Sequence, residues 1–271
     1  MMDRPHISYC KDPKGVELFD SAVAVIDDEP DKAESYMREA VVLGCTASMV
    51  LLGDILIDGN EEEKKEAISL FRNAYEGGDN MGSRNLGYCF ALGLGVEQDK
   101  KKAAEWYERS AREGNAKAQC NLGVLYEYGH GVEQDYSKAA EWFKKSAENG
   151  YHRGRTNYAC LLRDGKGVER NPIQAVYWFE KSGSPRAKRL LALMYITGDG
   201  IDWNREKARE LLEEASEKDR KAMFILGDMI YDENRERAVA LFMRSAEKGY
   251  EDAIKRLTEL GLEVPPRSMR F

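Results

Sequence analysis

KAAEWYERSAREGNAKAQCNLGVLYEYGHGVEQD, residues 102–135, is followed at 138–171 by KAAEWFKKSAENGYHRGRTNYACLLRDGKGVERN, and the two segments align almost residue for residue. Trp106, Trp142 and Trp178 stand 36 residues apart, and Gly95-Val96, Gly131-Val132 and Gly167-Val168 keep the same interval. A fixed period of this size marks a repeat architecture. Outward from these copies, Ala103, Ala139 and Ala175 have counterparts in Ala67 and Ala33 on one side and Ala208 and Ala238 on the other. The array therefore covers nearly the whole chain.

Within one copy, Ala118, Leu122, Leu125 and Tyr126 fall at helical three-and-four spacing, as do Ala139, Trp142, Phe143 and Ala147. Each copy reads as helix, turn, helix, loop. Gly114, Gly150 and Gly249 are placed to close helices as left-handed caps, while GLG, GHG, GKG and GDG open the loop to the next helix. A hairpin of this kind cannot bury its apolar stripe alone, so neighbours must stack into one continuous core. The predicted fold is all-α, a solenoid of about seven helix-turn-helix repeats. Residues 1–30 are expected to form an N-terminal arm and first helix, beginning near Val16. The array with its closing helix, near Tyr250 to Leu260, spans 31–261, and 262–271 form an extended tail in which Pro265-Pro266 cannot continue a helix. The turn YDENRERA lacks the glycine loop, which predicts a tighter connection there. Trp142, read as wedged between stacked hairpins, is expected to be a major core residue.

The string A-x-A-Q-x-N-L-G-x-x-Y-x-x-G-x-G-V-x-x-D-x-x-K-A-x-x-W, from Ala116 to Trp142, resembles the Sel-like repeat (SLR) family, relatives of tetratricopeptide repeats. The resemblance implies a right-handed αα superhelix that acts as an adaptor or scaffold for other proteins. Secreted members of that family carry paired cysteines bridging the two helices of a repeat. This sequence lacks that pairing and resembles the intracellular members.

Five cysteines, Cys10, Cys45, Cys89, Cys120 and Cys160, show no CxxC spacing and fall in different repeat columns, so they read as reduced thiols with no metal site. No cofactor is expected. The net charge of -7 opposes general binding to nucleic acid or anionic lipid. No stretch approaches the roughly 20 apolar residues of a membrane span, and the start lacks the apolar core of a signal peptide. These features predict a cytoplasmic protein, a monomer or weak oligomer.

Chemical readings are thin. The Gly-x-Gly loops follow helices, whereas phosphate-binding turns of that type follow a strand. Ser245-Ala-Glu-Lys248 matches the Ser-x-x-Lys pattern of penicillin-recognising enzymes, and supplies an alternative reading as a weak hydrolase. Ser110, Ser146 and Ser182 occupy the same column without the accompanying motifs, so the column reads as small residues that let helices approach. No catalytic residue is assigned. A third reading is a self-assembling structural array.

In the tetratricopeptide-like geometry that the resemblance implies, the first helix of each hairpin lines a concave groove. One column at its start reads Ala47, Met81, Lys117, Arg153, Arg186 and Lys221. Four consecutive cations in the first turn oppose the helix dipole, so helix stability does not explain them, whereas a ligand would. One turn later Asn85, Asn121 and Asn157 can offer donors and acceptors to a peptide backbone. The pairing resembles the carboxylate clamp of some tetratricopeptide domains. Tyr88, Tyr128 and Phe224 are candidate apolar anchors or core residues. Trp203 replaces the Gln98, Gln134 and Arg170 of sister loops and is a candidate contact residue. The expected partner is an extended protein segment, acidic or C-terminal, held in this groove.

Overall fold

Seven alanines, Ala33, Ala67, Ala103, Ala139, Ala175, Ala208 and Ala238, are fully buried, one on the second helix of each hairpin. With no side chain beyond Cβ, each lets a partner helix come close. One turn on, at the fourth residue after the alanine, stand Met37, Phe71, Tyr107, Phe143, Phe179, Leu212 and Phe242, also buried. The first helix of the hairpin receives these large groups with a small residue. An added Cβ on Gly123 would lie 2.6 Å from the Phe143 ring, and Gly53, Gly87 and Gly227 meet Phe71, Tyr107 and Phe242 in the same way. This glycine and ring pairing recurs in four of the seven hairpins, those carrying Phe71, Tyr107, Phe143 and Phe242 on their second helices.

The computed structural model describes residues 10–267. These form fifteen helices and no strand, of the αα-solenoid class the repeats predict. Contacts divide the chain into two units, the first ending at Asn149 and the second beginning at Gly150. Unit 1 contains the hairpins α1 (Pro13–Val25) with α2 (Pro30–Val42), α3 (Thr46–Leu56) with α4 (Glu61–Glu76), α5 (Asn80–Leu92) with α6 (Lys100–Arg112), and α7 (Ala116–Tyr128) with α8 (Tyr136–Glu148). Unit 2 contains α9 (His152–Asp164) with α10 (Pro172–Ser182), α11 (Pro185–Thr197) with α12 (Arg205–Ala215), α13 (Arg220–Ile230) with α14 (Arg235–Glu247), and the closing helix α15 (Glu251–Glu259).

Local chemistry sets the helix ends. Asp135 caps α8 by accepting from the Ser137 and Lys138 amides, each at 3.0 Å. Its own amide donates to the Tyr126 carbonyl at 2.9 Å, and Asp99, Asn171 and Asn204 anchor their loops identically on Phe90, Leu162 and Tyr195. The Gly-x-Gly turn is a spacer here: Gly131 has φ 76°, and a Cβ on it would meet the Lys100 carbonyl at 2.2 Å. Where YDENRERA lacks that turn, only residues 231–234 separate α13 from α14, against 129–135 between α7 and α8. Of the tail, Leu262 and Val264 pack against the unit 2 core, and residues 268–271 lie outside the described residues.

Two expectations are corrected. Trp142 is only half-buried at the edge of the core, with the Lys145 ammonium 4.3 Å from its ring centroid. Its neighbour Phe143 is the fully buried wedge, because the helical turn that buries Ala139 points the residue four on, not three on, at the first helix. The cysteines are not all reduced: Cys10, just before α1, forms a disulfide with Cys45 at the start of α3, while Cys89, Cys120 and Cys160 form no disulfide among the described residues. Cys10 and Cys45 are 35 residues apart and bring two neighbouring hairpins together, a pairing that a search within one repeat does not reveal. The cytoplasmic expectation rested partly on five free thiols, and that ground is removed. No helix among the described residues is long and apolar enough to cross a membrane.

Candidate functional site

The serine column has a structural task. Ser110, Ser146, Ser182 and Ser245, near the ends of second helices, donate to the carbonyls of Asn80, Ala116, His152 and Arg220 at 2.8, 2.6, 2.9 and 2.7 Å. Each accepting carbonyl belongs to the first residue of the same hairpin's first helix. Ser245 is fully buried in this role, so its hydroxyl is a structural donor with no access to a substrate. Among the described residues no cluster of His, Cys, Asp and Glu could hold a metal, and burial pushes the Cys89 thiol up to about 12, an inert value.

In unit 1 the starts of the first helices lie near one carboxylate, that of Asp54. The Asn85 amide donates to Asp54 at 2.7 Å, and Arg84 and Lys117 both lie near enough to Asp54 to draw its carboxyl down. Partial loss of water outweighs them and raises that carboxyl above its ordinary value, although Asp54 remains an exposed residue. Asn121 hydrogen-bonds to Tyr107, whose hydroxyl is pushed up by burial. Tyr88 and Tyr128 are 44% and 60% exposed and available for contact. Arg84 Nε and Asn85 Oδ1 are buried without a hydrogen-bond partner among the described residues.

In unit 2 the same positions are differently wired. Arg186 on α11 donates to Asn157 Oδ1 on α9 at 2.9 Å. Arg189 Nε donates to Asp219 at 2.9 Å, both side chains 13% exposed, and Asp219 also caps α13 through the Lys221 and Ala222 amides. Arg220 donates to the Lys248 carbonyl and to Gly249 at 3.4 Å. The Lys221 ammonium sits 5.9 Å from the Tyr250 ring centroid. Phe224 packs between Phe242 and Tyr250 and belongs to the core. Arg153 is exposed at the start of α9, and neither it, Arg186 nor Lys221 has a carboxylate partner among the described residues. Three second-helix arginines of the same unit are neutralised: Arg205 and Arg209 by Glu233, and Arg237 by Glu213.

The predicted column thus separates into two settings. Asn85, Asn121 and Asn157 each bond to a neighbouring helix, and at the next two steps the column reads Leu190 and Ile225, so the cation and asparagine pairing ends at α9. Sequence reasoning missed Arg189, Lys218, Arg220 and Lys248, which join Arg186 and Lys221 around one open cleft of about 600 Å³. They come from different columns and from turns, and the signal that could have found them is the basic run of 218–221 facing a lysine at the end of α14. Trp203 is 63% exposed.

A family model described as the Sel1 repeat matches residues 46–79, 81–115, 116–151, 153–184, 185–219 and 221–250. No curated protein matches the sequence. Among solved structures, the chain resembles c5321, a protective antigen of uropathogenic Escherichia coli strains with an SLR fold, at 26% identity and a TM-score of 0.72, covering 91% of this chain and 56% of that one. It spans little more than half of that relative. A Sel1 repeat protein from Oxalobacter formigenes is 28% identical over 80% of this chain and 92% of its own length, with a TM-score of 0.70. A tetratricopeptide repeat protein from Parabacteroides merdae, 19% identical with a TM-score of 0.51, shares the fold alone. With six matched repeats lying on α3 to α14, each with a buried alanine and a buried large side chain on its second helix, the chain belongs to the Sel1 repeat family.

Proposed function

We propose that this chain is a non-catalytic interaction module that holds an extended acidic segment of another protein against the starts of its first helices, chiefly α9, α11 and α13. Sel1 repeat proteins generally mediate protein–protein interaction. One observation carries the finer reading: Arg153, Arg186 and Lys221 keep their charge uncompensated by any carboxylate among the described residues, while Arg205, Arg209 and Arg237 of the same unit are paired. Exposed like charges in a row cost stability through mutual repulsion, and a ligand of opposite sign offsets that cost. Adjacent helices lie roughly 8 to 10 Å apart and an extended chain advances about 3.3 Å per residue, so three helices engage roughly nine ligand residues.

Fluorescence anisotropy with a labelled acidic peptide of that length tests the reading. Binding at low salt that weakens as salt rises, no binding of a basic peptide, and loss in the Arg153→Glu, Lys221→Glu double variant are expected. Equal binding of acidic and basic peptides, or an unchanged affinity after charge reversal, would overturn it.

A further inference from the structure

The cleft of unit 2 lies among the first turn of α11, the turn that leads into α13 and the turn between α14 and α15. Its volume of about 600 Å³ falls in the range of ligand pockets, roughly 300 to 1,000 Å³. Six cations line it, Arg186, Arg189, Lys218, Arg220, Lys221 and Lys248, against the single carboxylate of Asp219. That carboxylate is fully engaged, capping α13 and holding Arg189. It also occupies the amides of the α13 N-terminus, so side chains and not the helix end supply the remaining field.

Three of the other five cations are oriented by neutral groups: Arg186 by an asparagine oxygen, Arg220 by backbone carbonyls, Lys221 by an aromatic ring. Lys218 and Lys248 are exposed, and none of the five meets a carboxylate among the described residues. The arrangement positions charge without neutralising it. One Arg fork satisfies a carboxylate of charge −1, whereas a cluster of Arg and Lys suits a phosphate monoester, with roughly −1.5 to −2 charges at neutral pH and three acceptor oxygens.

Resting on the interaction-module reading above, we propose that this cleft receives a phosphorylated serine or threonine side chain of the bound segment. Arg186 of the cleft lining and Arg153 outside it then hold the acidic chain that carries it. Phosphorylation of the partner thereby governs its retention.

The test uses the full chain and three labelled peptides with one acidic frame, carrying serine, glutamate or phosphoserine at the centre. The phosphopeptide should bind at least tenfold tighter than the serine peptide and clearly tighter than the glutamate one. Its affinity should fall as pH drops below about 6, where the phosphate gains its second proton, whereas the glutamate peptide stays constant there. Lys218→Ala with Lys248→Ala should reduce phosphopeptide affinity at least tenfold and leave the serine peptide within about threefold. Both lysine ammonium groups are exposed and make no hydrogen bond or ion pair among the described residues, and alanine keeps the backbone bonds, so the variant should fold, which circular dichroism checks, and Lys255→Ala, outside the cleft, should change nothing.

If the acidic peptides bind and phosphorylation adds nothing, the phosphate proposal fails while the acidic-segment reading stands. Absence of binding by all three peptides would remove both. Displacement of the phosphopeptide by inorganic phosphate at equal concentration, or by duplex DNA, would show a small-anion or general polyanion site and overturn the proposal.

Discussion

Units 1 and 2 are built from the same hairpin, yet their first helices begin differently. In unit 1 Asn85 donates to Asp54, and the cations Arg84 and Lys117 stand near enough to that carboxylate to draw it down. In unit 2 Arg186, Arg220 and Lys221 are held by an amide oxygen, carbonyls and a ring. One setting places a carboxylate near its cations, and the other orients them with neutral groups. The buried core cannot account for this, because Phe143 and Phe179 fill equivalent places in the two units. The difference lies at the surface, where the proposed segment would bind.

Substitutions that remove the shared core should therefore affect both units alike. Phe143→Ala and Phe179→Ala each empty a fully buried ring position and should cost about 3 to 5 kcal/mol, measured by urea unfolding, with Trp142→Ala costing clearly less because the indole is half-exposed. An equal loss at Trp142 would contradict the assignment of the wedge.

The serine clasps give a smaller and equally shared effect. Ser146→Ala in unit 1 and Ser245→Ala in unit 2 should each lose about 1 kcal/mol, since the buried serine's hydrogen bond to the carbonyl of Ala116 or Arg220 is removed. A reporter β-lactam assay should show no difference between the Ser245 variant and the parent chain. Turnover by the parent that vanishes in the variant would revive the hydrolase reading.

The smallest effect is specific to unit 1. Because burial raises the Asp54 carboxyl above its ordinary value, the native state binds the proton more tightly than the unfolded chain. Its contribution is then most favourable below the ordinary carboxylate pKa and is lost as pH rises through the raised value. Asp54→Asn should flatten that part of the stability profile between acid and neutral pH, read as urea midpoints. A steeper profile in the variant would contradict the sign.

Most of the fold is legible in the sequence because period and alanine column are linear signals: Ala33 to Ala238 mark every hairpin, and all are buried. The wedge was harder to read, since Trp142 and Phe143 are adjacent and only the glycine opposite, Gly123, tells which ring points inward. Arg186 and Lys221 were legible as a column. Lys248 and Arg189 were not, being brought to the same cleft by folding across different repeat positions. The Cys10 and Cys45 pairing was hidden for the same reason.

The most direct measurement compares charge reversal in the two units under one titration, following the anisotropy of a labelled acidic peptide with Lys117→Glu and with Lys221→Glu. The neutral groups that orient the unit 2 cations predict at least a tenfold loss of affinity for Lys221→Glu and a distinctly smaller one for Lys117→Glu. Equal losses, or a larger loss at Lys117, would contradict the assignment of ligand binding to unit 2.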